Sequence, residues 1–303
     1  MKEAVPNYYK EFKCIADRCE HSCCIGWEID IDEETMLFYN SLDTAMGERI
    51  RKHIEGEVPH FILNKGERCP FLNKSGLCDI ICECGEDALC DICTLHPRFK
   101  NFYSSFVETG LGLCCEEVAR IILSEAERFY IDIPENVDIS EDERNFFVKR
   151  QEIFSLLQNR EKSIGERFIL LADEHCLTFD FKIDKLCELY LSLERLDEKW
   201  TEELNKLQVF SFEGRIFDDK EFQIPFEQLA IYFIFRHLEG AIWDGDYSSR
   251  INFALMSCCL IGALAEYYQR AGGISFEKLI DLVRMYSSEV EYSEENLNVL
   301  MGS

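Results

Sequence analysis

Positive charge is what this chain has least of. Its 303 residues carry 32 Lys and Arg against 58 Asp and Glu, a formal net charge of −26. Proteins that grip phosphate backbones concentrate Lys and Arg for counterion release, so nucleic acid is excluded as the expected partner. The acidic balance suits a basic protein partner or none, and it also serves solubility. Long apolar runs are missing too. The most apolar stretch, Ile251 to Tyr268, is interrupted by Asn252, Ser257 and Glu266, and falls short of the ~20 mostly apolar residues a bilayer requires. It reads as a buried helix, and no membrane partner is expected. The opening MKEAVPNYYK has neither an apolar h-region nor a small-residue cleavage site, which points to the cytoplasm and to reduced thiols. There is no internal repeat and no low-complexity segment. Cysteine is scarce in the last 188 residues, which hold four of the sixteen.

The other twelve lie between Cys14 and Cys115, in metal-ligand groupings. The first group is Cys14-x4-Cys19-x3-Cys23-Cys24. The second is Cys69-x8-Cys78-x11-Cys90-x2-Cys93, closing on Cys114-Cys115. A cysteine used as a small core residue would be spread along the whole chain, so this density asks for a metal or for disulfides. A chain of this length and 47% hydrophobic composition has enough core to fold without disulfide staples. Clustered reduced thiols lose protons to soft metals, leaving zinc or an iron–sulfur cluster. Cys90-x2-Cys93 is the strongest signal, because two intervening residues let both sulfurs face one centre. Adjacent cysteines in extended chain project to opposite sides, so Cys23 and Cys24 are not expected to bind the same centre, nor Cys114 and Cys115. Cys82 and Cys84 carry less weight. The radical-enzyme pattern Cys-x3-Cys-x2-Cys is absent. His21 and His96 are read as non-ligands because thiolates are plentiful, and Cys176, Cys187, Cys258 and Cys259 as core.

The spacing predicts a mainly α protein: a Cys-rich, metal-stapled N-terminal domain of short irregular elements over residues 1–130, and a C-terminal helical bundle over 131–303. In the first part, turns fall at Asn64-Lys65-Gly66 and Asn73-Lys74-Ser75-Gly76. One helix is expected from Asp32, as cap, to about His53, and another from Glu116 to Tyr130. Phe102 to Thr109 reads as a strand pair or an extended crossing. Ile131 to Ser140 is the expected linker. Beyond it the apolar spacing is helical, as in Ile183, Leu186, Cys187, Tyr190, Leu191, Leu193, Leu196 and Trp200. A central helix is expected from Pro225 to Trp243, then a turn at Asp244-Gly245-Asp246, then a helix capped by Ser248 or Ser249. The one candidate for a Gly-rich nucleotide turn is Phe106 to Gly112, which offers Gly110 and Gly112 as cofactor-binding positions.

Three blocks together resemble a known family. They are Pro6-Asn7-Tyr8-Tyr9 with Phe12-x-Cys14, Cys19, Cys23-Cys24-x-Gly26-Trp27 and Ile29-Asp30-Ile31-Asp32; Cys69-Pro70-Phe71-Leu72 through Gly76-Leu77-Cys78, Leu89-Cys90-x2-Cys93, Pro97-Arg98 and Cys115-x-Glu117-x-Ala119-Arg120; and Tyr232-x3-Arg236-His237 with Asp244-Gly245-Asp246. Their order resembles the flagellin lysine N-methylase family, related to Cys-rich zinc- or iron-chelating proteins. The resemblance implies transfer of methyl groups from S-adenosylmethionine to lysines of flagellin, or of another lysine-bearing protein, with an iron–sulfur centre on the cysteines, 4Fe-4S being the expected type and zinc the alternative. The ligand candidates are Cys14, Cys19, Cys23, Cys24, Cys69, Cys78, Cys90, Cys93 and Cys115. By the third block, Tyr232, Asp244, Asp246 and Tyr247 are candidates for handling the lysine proton, though Asp-Gly-Asp is also an ordinary turn. The chain departs from the family pattern in having Leu95-His96 before Pro97-Arg98, Glu116 where proline is expected, and the additional Cys82 and Cys84. A metal-stapled protein-binding adaptor and an iron–sulfur redox protein are the alternative functions. The sequence does not fix an oligomeric state.

Overall fold

The chain forms two units that its sequence order interleaves. The computed structural model describes residues 2–177 and 183–302. The helical expectation beyond Ser140 also covers 178–182, which lie outside the described residues. One unit comprises Lys13–Arg98 and Cys115–Glu117, the other Met1–Phe12, Phe99–Cys114 and Val118–Ser303. The division at residue 130 is therefore corrected: the first twelve residues and 99–114 belong with the helices. The reason is a small sheet. Strand β1 (Lys2–Ala4) runs parallel to β5 (Phe106–Leu111), pairing Lys2 with Phe106, and β5 lies between β1 and β4 (Arg98–Phe102). Every residue of β5 is buried. The strand pair expected near 102–109 is thus present, with a partner from the chain's start.

In the cysteine-rich unit, helices α1 (Glu33–Ser41) and α2 (Ala45–Lys52) replace the one helix expected from Asp32 to His53. Asp32 caps α1 as expected, its Oδ1 accepting from Thr35 N at 2.8 Å. The helix breaks because Thr44 caps a second one, accepting from Gly47 N at 3.1 Å. A side chain at Gly47 would collide with the Leu42 carbonyl oxygen, and Arg51 Nη1 donates to the carbonyls of Tyr39 (2.7 Å) and Leu42 (2.9 Å). Those carbonyls are orphans of the α1 terminus, and Arg51 satisfies them. Next come β2 (Ile54–Glu55), antiparallel to β3 (His60–Phe61), then α3 (Asp79–Cys84) and α4 (Asp91–Leu95). An apolar cluster of Ile29, Ile31, Tyr39, Ile50, Phe61 and Phe71 holds the unit together, with Phe61 and Phe71 edge-on at 4.9 Å.

Helix α5 (Glu116–Ser124) is shorter than the expected span to Tyr130. Gln228 Nε2 donates to the carbonyls of Glu125 (2.9 Å) and Glu127 (2.8 Å), which draws that backbone out of helix. The 131–140 segment is tied into the helical unit, not free between domains. Ile131 pairs with Pro6, and Ser140 caps α6 (Glu141–Leu157) through a capping box with Glu143. The bundle continues with α7 (Ile164–Glu174), α8 (Ile183–Ser192), α9 (Glu198–Leu207), α10 (Gln223–His237), α11 (Ala241–Asp244), α12 (Tyr247–Ala271), α13 (Phe276–Tyr286) and α14 (Glu294–Met301). The helix expected from Pro225 to Trp243 is α10 plus α11. The break falls at Gly240, where the Arg250 guanidinium occupies the space a Cβ would need. Asp246, not Ser248 or Ser249, caps α12, accepting from Ser249 N at 3.0 Å. Helix α12 has the length and composition of a membrane span, but it is 72% buried as a core helix, in contact with α8, α9, α10 and α13. Cys187, Cys258 and Cys259 are core residues as expected. Cys176 is exposed, because it sits past the end of α7 with φ 55°. Leu196, expected in an apolar row, is 71% exposed, since it lies in the loop between α8 and α9.

Between α9, α12 and α13, Glu203 meets Lys206 (2.8 Å), Lys278 (3.0 Å) and the Tyr268 hydroxyl (2.8 Å). Burial alone would raise this carboxyl, but hydrogen bonds from Lys206, Tyr268 and Lys278 carry it below its ordinary value of 4.5. A depressed carboxylate adds stability above its unfolded pKa and loses it as pH falls through the folded one. Thermal melts of wild type and Glu203→Gln should therefore differ most at neutral pH and converge as pH falls below the ordinary carboxylate range. A gap that widens on acidification would contradict this.

Candidate functional site

All sixteen cysteines are free thiols. In the cysteine-rich unit the nine ligand candidates form two electrostatically interacting sets. Cys23 feels Cys14 and Cys115, and Cys115 also acts on Cys19. Cys24 and Cys78 act on Cys69, and Cys24, Cys69 and Cys90 act on Cys93. The sets join at Cys23 and Cys24, whose side chains hydrogen-bond each other. The expectation that this pair projects to opposite sides fails because the backbone turns there, with Ile25 N donating to Ser22 O at 3.1 Å. Cys90 and Cys93 are likewise hydrogen-bonded, on the first turn of α4. The hydrogen bond with Cys23 draws the Cys24 thiol down to about 6, helped by Ser22 and Arg68, while burial pushes Cys69 up to about 12. Thiols drawn down, Cys24 and Cys90, beside thiols held up by burial make a set of soft donors that can give up protons to a metal.

Sequence reasoning passed over two residues here. Glu116, a departure from the family pattern, accepts through Oε2 from the backbone N–H of Glu20 and of His21, each at 3.0 Å. It thereby ties the loop carrying Cys19 and Cys23 to the residue next to Cys115. Arg68 donates to the carbonyls of Leu72 (3.3 Å) and Asn73 (2.7 Å), fixing the turn between Cys69 and Cys78. Its guanidinium favours the Cys24 thiolate. The signal available for both was their position beside cysteines. His96 lies against Trp27 at 5.6 Å, and burial holds its imidazole down at about 4. Cys82 is exposed and Cys84 packs on the apolar core.

In the helical unit, Tyr232 on α10 is enclosed, at 1% exposure. Its hydroxyl accepts from Arg236 Nη1 (2.6 Å) and Leu113 N (3.3 Å) and donates to the Glu291 carboxylate (3.1 Å). His237 Nε2 lies 2.7 Å from Glu291 Oε1. Arg236 sits between the rings of Phe99 (5.0 Å) and Tyr292 (5.1 Å). Glu291 closes a π-helical turn, Ser287–Glu291, of a kind common at functional sites. Burial raises the Tyr232 phenol well above its ordinary value. Asp244 and Asp246 serve the turn before α12: Asp244 pairs with Arg250 at 2.8 Å, and Asp246 is the cap. Tyr247 opens α12 and stacks near Phe146 at 6.4 Å. Gly110 lies inside β5, where a side chain would collide with the Phe99 ring, so its open face is filled by protein. Gly112 follows the strand, its carbonyl facing Cys114.

Residues 174–303, which include α8 to α14 with Tyr232, Arg236, His237 and Glu291, match the family model described as "FliB lysine N-methylase C-terminal domain". The chain is also 26% identical over 219 residues to a lysine-N-methylase of Salmonella choleraesuis and to one of Salmonella typhimurium, covering 64% of this chain and 54% of each relative. Its C-terminal 130 residues thus resemble the C-terminal domain of the FliB lysine N-methylases. A third relative, the flagellar biosynthetic protein FliU of Salmonella muenchen, is 29% identical over 142 residues, 42% of this chain and 82% of that protein. The chain spans about half the length of the two lysine-N-methylases, 54%. No solved structure matches it.

Proposed function

We propose that the chain is a protein-lysine N-methyltransferase that moves methyl groups from S-adenosylmethionine to lysine side chains of flagellin in the cytoplasm. The observation that carries this reading is the match of residues 174–303 to the lysine N-methylase C-terminal domain. Cys14, Cys19, Cys23, Cys24, Cys69, Cys78, Cys90, Cys93 and Cys115 would hold an iron–sulfur cluster, with zinc the alternative. Their reduced state and mutual electrostatic influence support a soft-metal group, although no three of their sulfurs lie within 4.8 Å of one another among the described residues. Such a group supplies a soft Lewis-acid or one-electron centre when bound.

The lysine nitrogen attacks the sulfonium methyl carbon: a C–N bond forms, the C–S bond breaks, and its electron pair stays on sulfur. Before that, the ammonium must lose its proton, at an ordinary pKa near ~10.4. The groups that would take that proton are Asp244, 51% exposed at its side chain while paired with Arg250, and the neighbouring Asp246 and Tyr247. Tyr232 is enclosed and instead holds α10 to residues 113 and 291.

The test is anaerobic purification followed by incubation with S-adenosylmethionine and flagellin. Mass spectrometry should show flagellin gaining multiples of one methyl mass. Replacing Cys90 and Cys93 by serine should remove most of the bound metal and lower transfer by about 10–100-fold or more. Flagellin that binds but keeps its mass would convert the reading to an adaptor. Stoichiometric zinc without sulfide would replace the cluster.

A further inference from the structure

A second cluster of metal-ligating side chains lies in the cysteine-rich unit and uses no sulfur. Residues 28–31 run extended beside β3. Ile31 N donates to Pro59 O at 2.8 Å and Phe61 N to Ile29 O at 3.1 Å, and Asp30 pairs directly with His60. On the other side of β3, Glu55 of β2 pairs with His60 in antiparallel register. His60 is therefore the middle of a row, with Asp30 across one strand gap and Glu55 across the other. Residues in register on neighbouring strands share a face. Glu28, two residues before Asp30, shares it as well. The opposite face is committed to the core through Ile29, Ile31 and Phe61, each at most 4% exposed. Slipping the row by one residue would put carboxylates into that core, so burial fixes the register.

The imidazole is held in one orientation. His60 Nδ1 lies 2.9 Å from the Val58 carbonyl oxygen, which can only accept, so Nδ1 carries the proton. In the neutral ring, Nε2 then presents its lone pair to the acidic groups. A backbone carbonyl on one ring nitrogen is the usual partner of a histidine that binds metal through the other. Gly56 makes room for the ring: a Cβ there would stand 2.6 Å from His60 Cε1 and 2.8 Å from Nδ1. Around Nε2 lie Glu28 Oε2 at 3.6 Å and Glu55 Oε1 at 4.0 Å. One donor atom from each of Glu28, Asp30 and His60 lies within 4.8 Å of the others, the one such group of three or more among the described residues. None of the three carboxylates has a Lys or Arg partner among the described residues. With the ring in that tautomer, the Nε2 lone pair and the carboxylate oxygens converge on one point, an arrangement that suits a cation.

We propose that Glu28, Asp30 and His60, with Glu55 in reach, bind a divalent metal ion of the manganese type, separate from the thiols. Ligands bonded at about 2.1 Å lie no more than about 4.2 Å apart, so a small rotation of the exposed Glu28 closes the group on an ion. One imidazole and several carboxylates favour a metal that takes mixed nitrogen and oxygen ligands. Soft metals go to the cysteines instead. The bound ion joins the 28–31 segment, β2 and β3 through side chains.

The experiment uses the full chain as isolated, with Mn2+ as probe and the aquo-ion EPR signal reporting free metal. Wild type should bind one more equivalent of Mn2+ than His60→Gln or Asp30→Asn, whose affinity at this site should fall by about 10-fold or more. Glu188→Gln, on the exposed face of α8, removes the same charge elsewhere and should bind like wild type. In the wild type, Mn2+ should also broaden the ring resonances of His60, a readout independent of any variant's folding. Equal Mn2+ binding by wild type and His60→Gln would overturn the site, as would sharp His60 resonances in saturating Mn2+. Either result would leave the row as a plain imidazolium–carboxylate contact on an acidic surface.

Discussion

Replacing Arg150 by methionine should lower the melting temperature of the helical unit by about 10 °C, the largest single effect expected in this protein. Arg150 of α6 donates to both oxygens of Glu108, at 2.7 and 2.6 Å, and to the Tyr103 hydroxyl at 3.2 Å. Tyr103 in turn donates to the same carboxylate at 3.0 Å. Glu108 lies on β5 with no solvent exposure, and the guanidinium stands near the rings of Phe146, Phe147, Phe154 and Phe235. Methionine fills much of the arginine volume, so the variant chiefly strips a buried carboxylate of its counterion, at a cost of about 3–5 kcal/mol. Neutralising the orphan should restore much of the loss: Glu108→Gln with Arg150→Met should melt closer to wild type than Arg150→Met alone. Circular dichroism of the three proteins checks this. A single variant that melts with wild type would show that water reaches the pair.

Glu291→Ala is expected to come second. Its carboxylate takes Arg236, His237 and the Tyr232 hydroxyl at once, and its side chain is fully buried. Burial alone would raise this carboxyl, but Arg236 and then His237 hold it below the ordinary range. Without it, Arg236 keeps its charge between two aromatic rings with no anion beside it. The loss should again be about 3–5 kcal/mol. Tyr232→Phe keeps the ring and removes only the hydroxyl, leaving Leu113 N short of a partner, at about 1–3 kcal/mol. Denaturant titration should rank wild type above Tyr232→Phe and Tyr232→Phe above Glu291→Ala. The reverse order would mean that the phenol, not the carboxylate, organises this turn.

Local chemistry was legible in the sequence and distant pairing was not. Asp32 announces α1 because a cap is a short-range device, and the spacing of Ile183, Cys187 and Tyr190 announces a buried helix face. The break at Thr44 was hidden because it depends on Arg51 reaching back to carbonyls of the previous helix. Gly240 breaks the α10–α11 span for a similar reason, the bulk of Arg250. Of the candidate site, the thiol sets could be named from spacing, but the clamp by Glu116 could not, because its partners lie some 95 residues away. The Asp30–His60–Glu55 row was equally invisible, since it exists only in one register of three short strands.

The pairing of Lys2–Ala4 with Phe106–Glu108 also orders events in time. A ribosome releases residues 13–98 before the central strand has been made. The first strand must therefore wait, unmatched, for about a hundred residues of synthesis, while the segment carrying ten of the thiols is already out and able to collapse around Phe61 and Phe71. Biogenesis runs from the inside of the sequence outward: most of the cysteine-rich unit precedes the central strand, its last piece, Cys115–Glu117, follows that strand, and the bracketing body is sealed last.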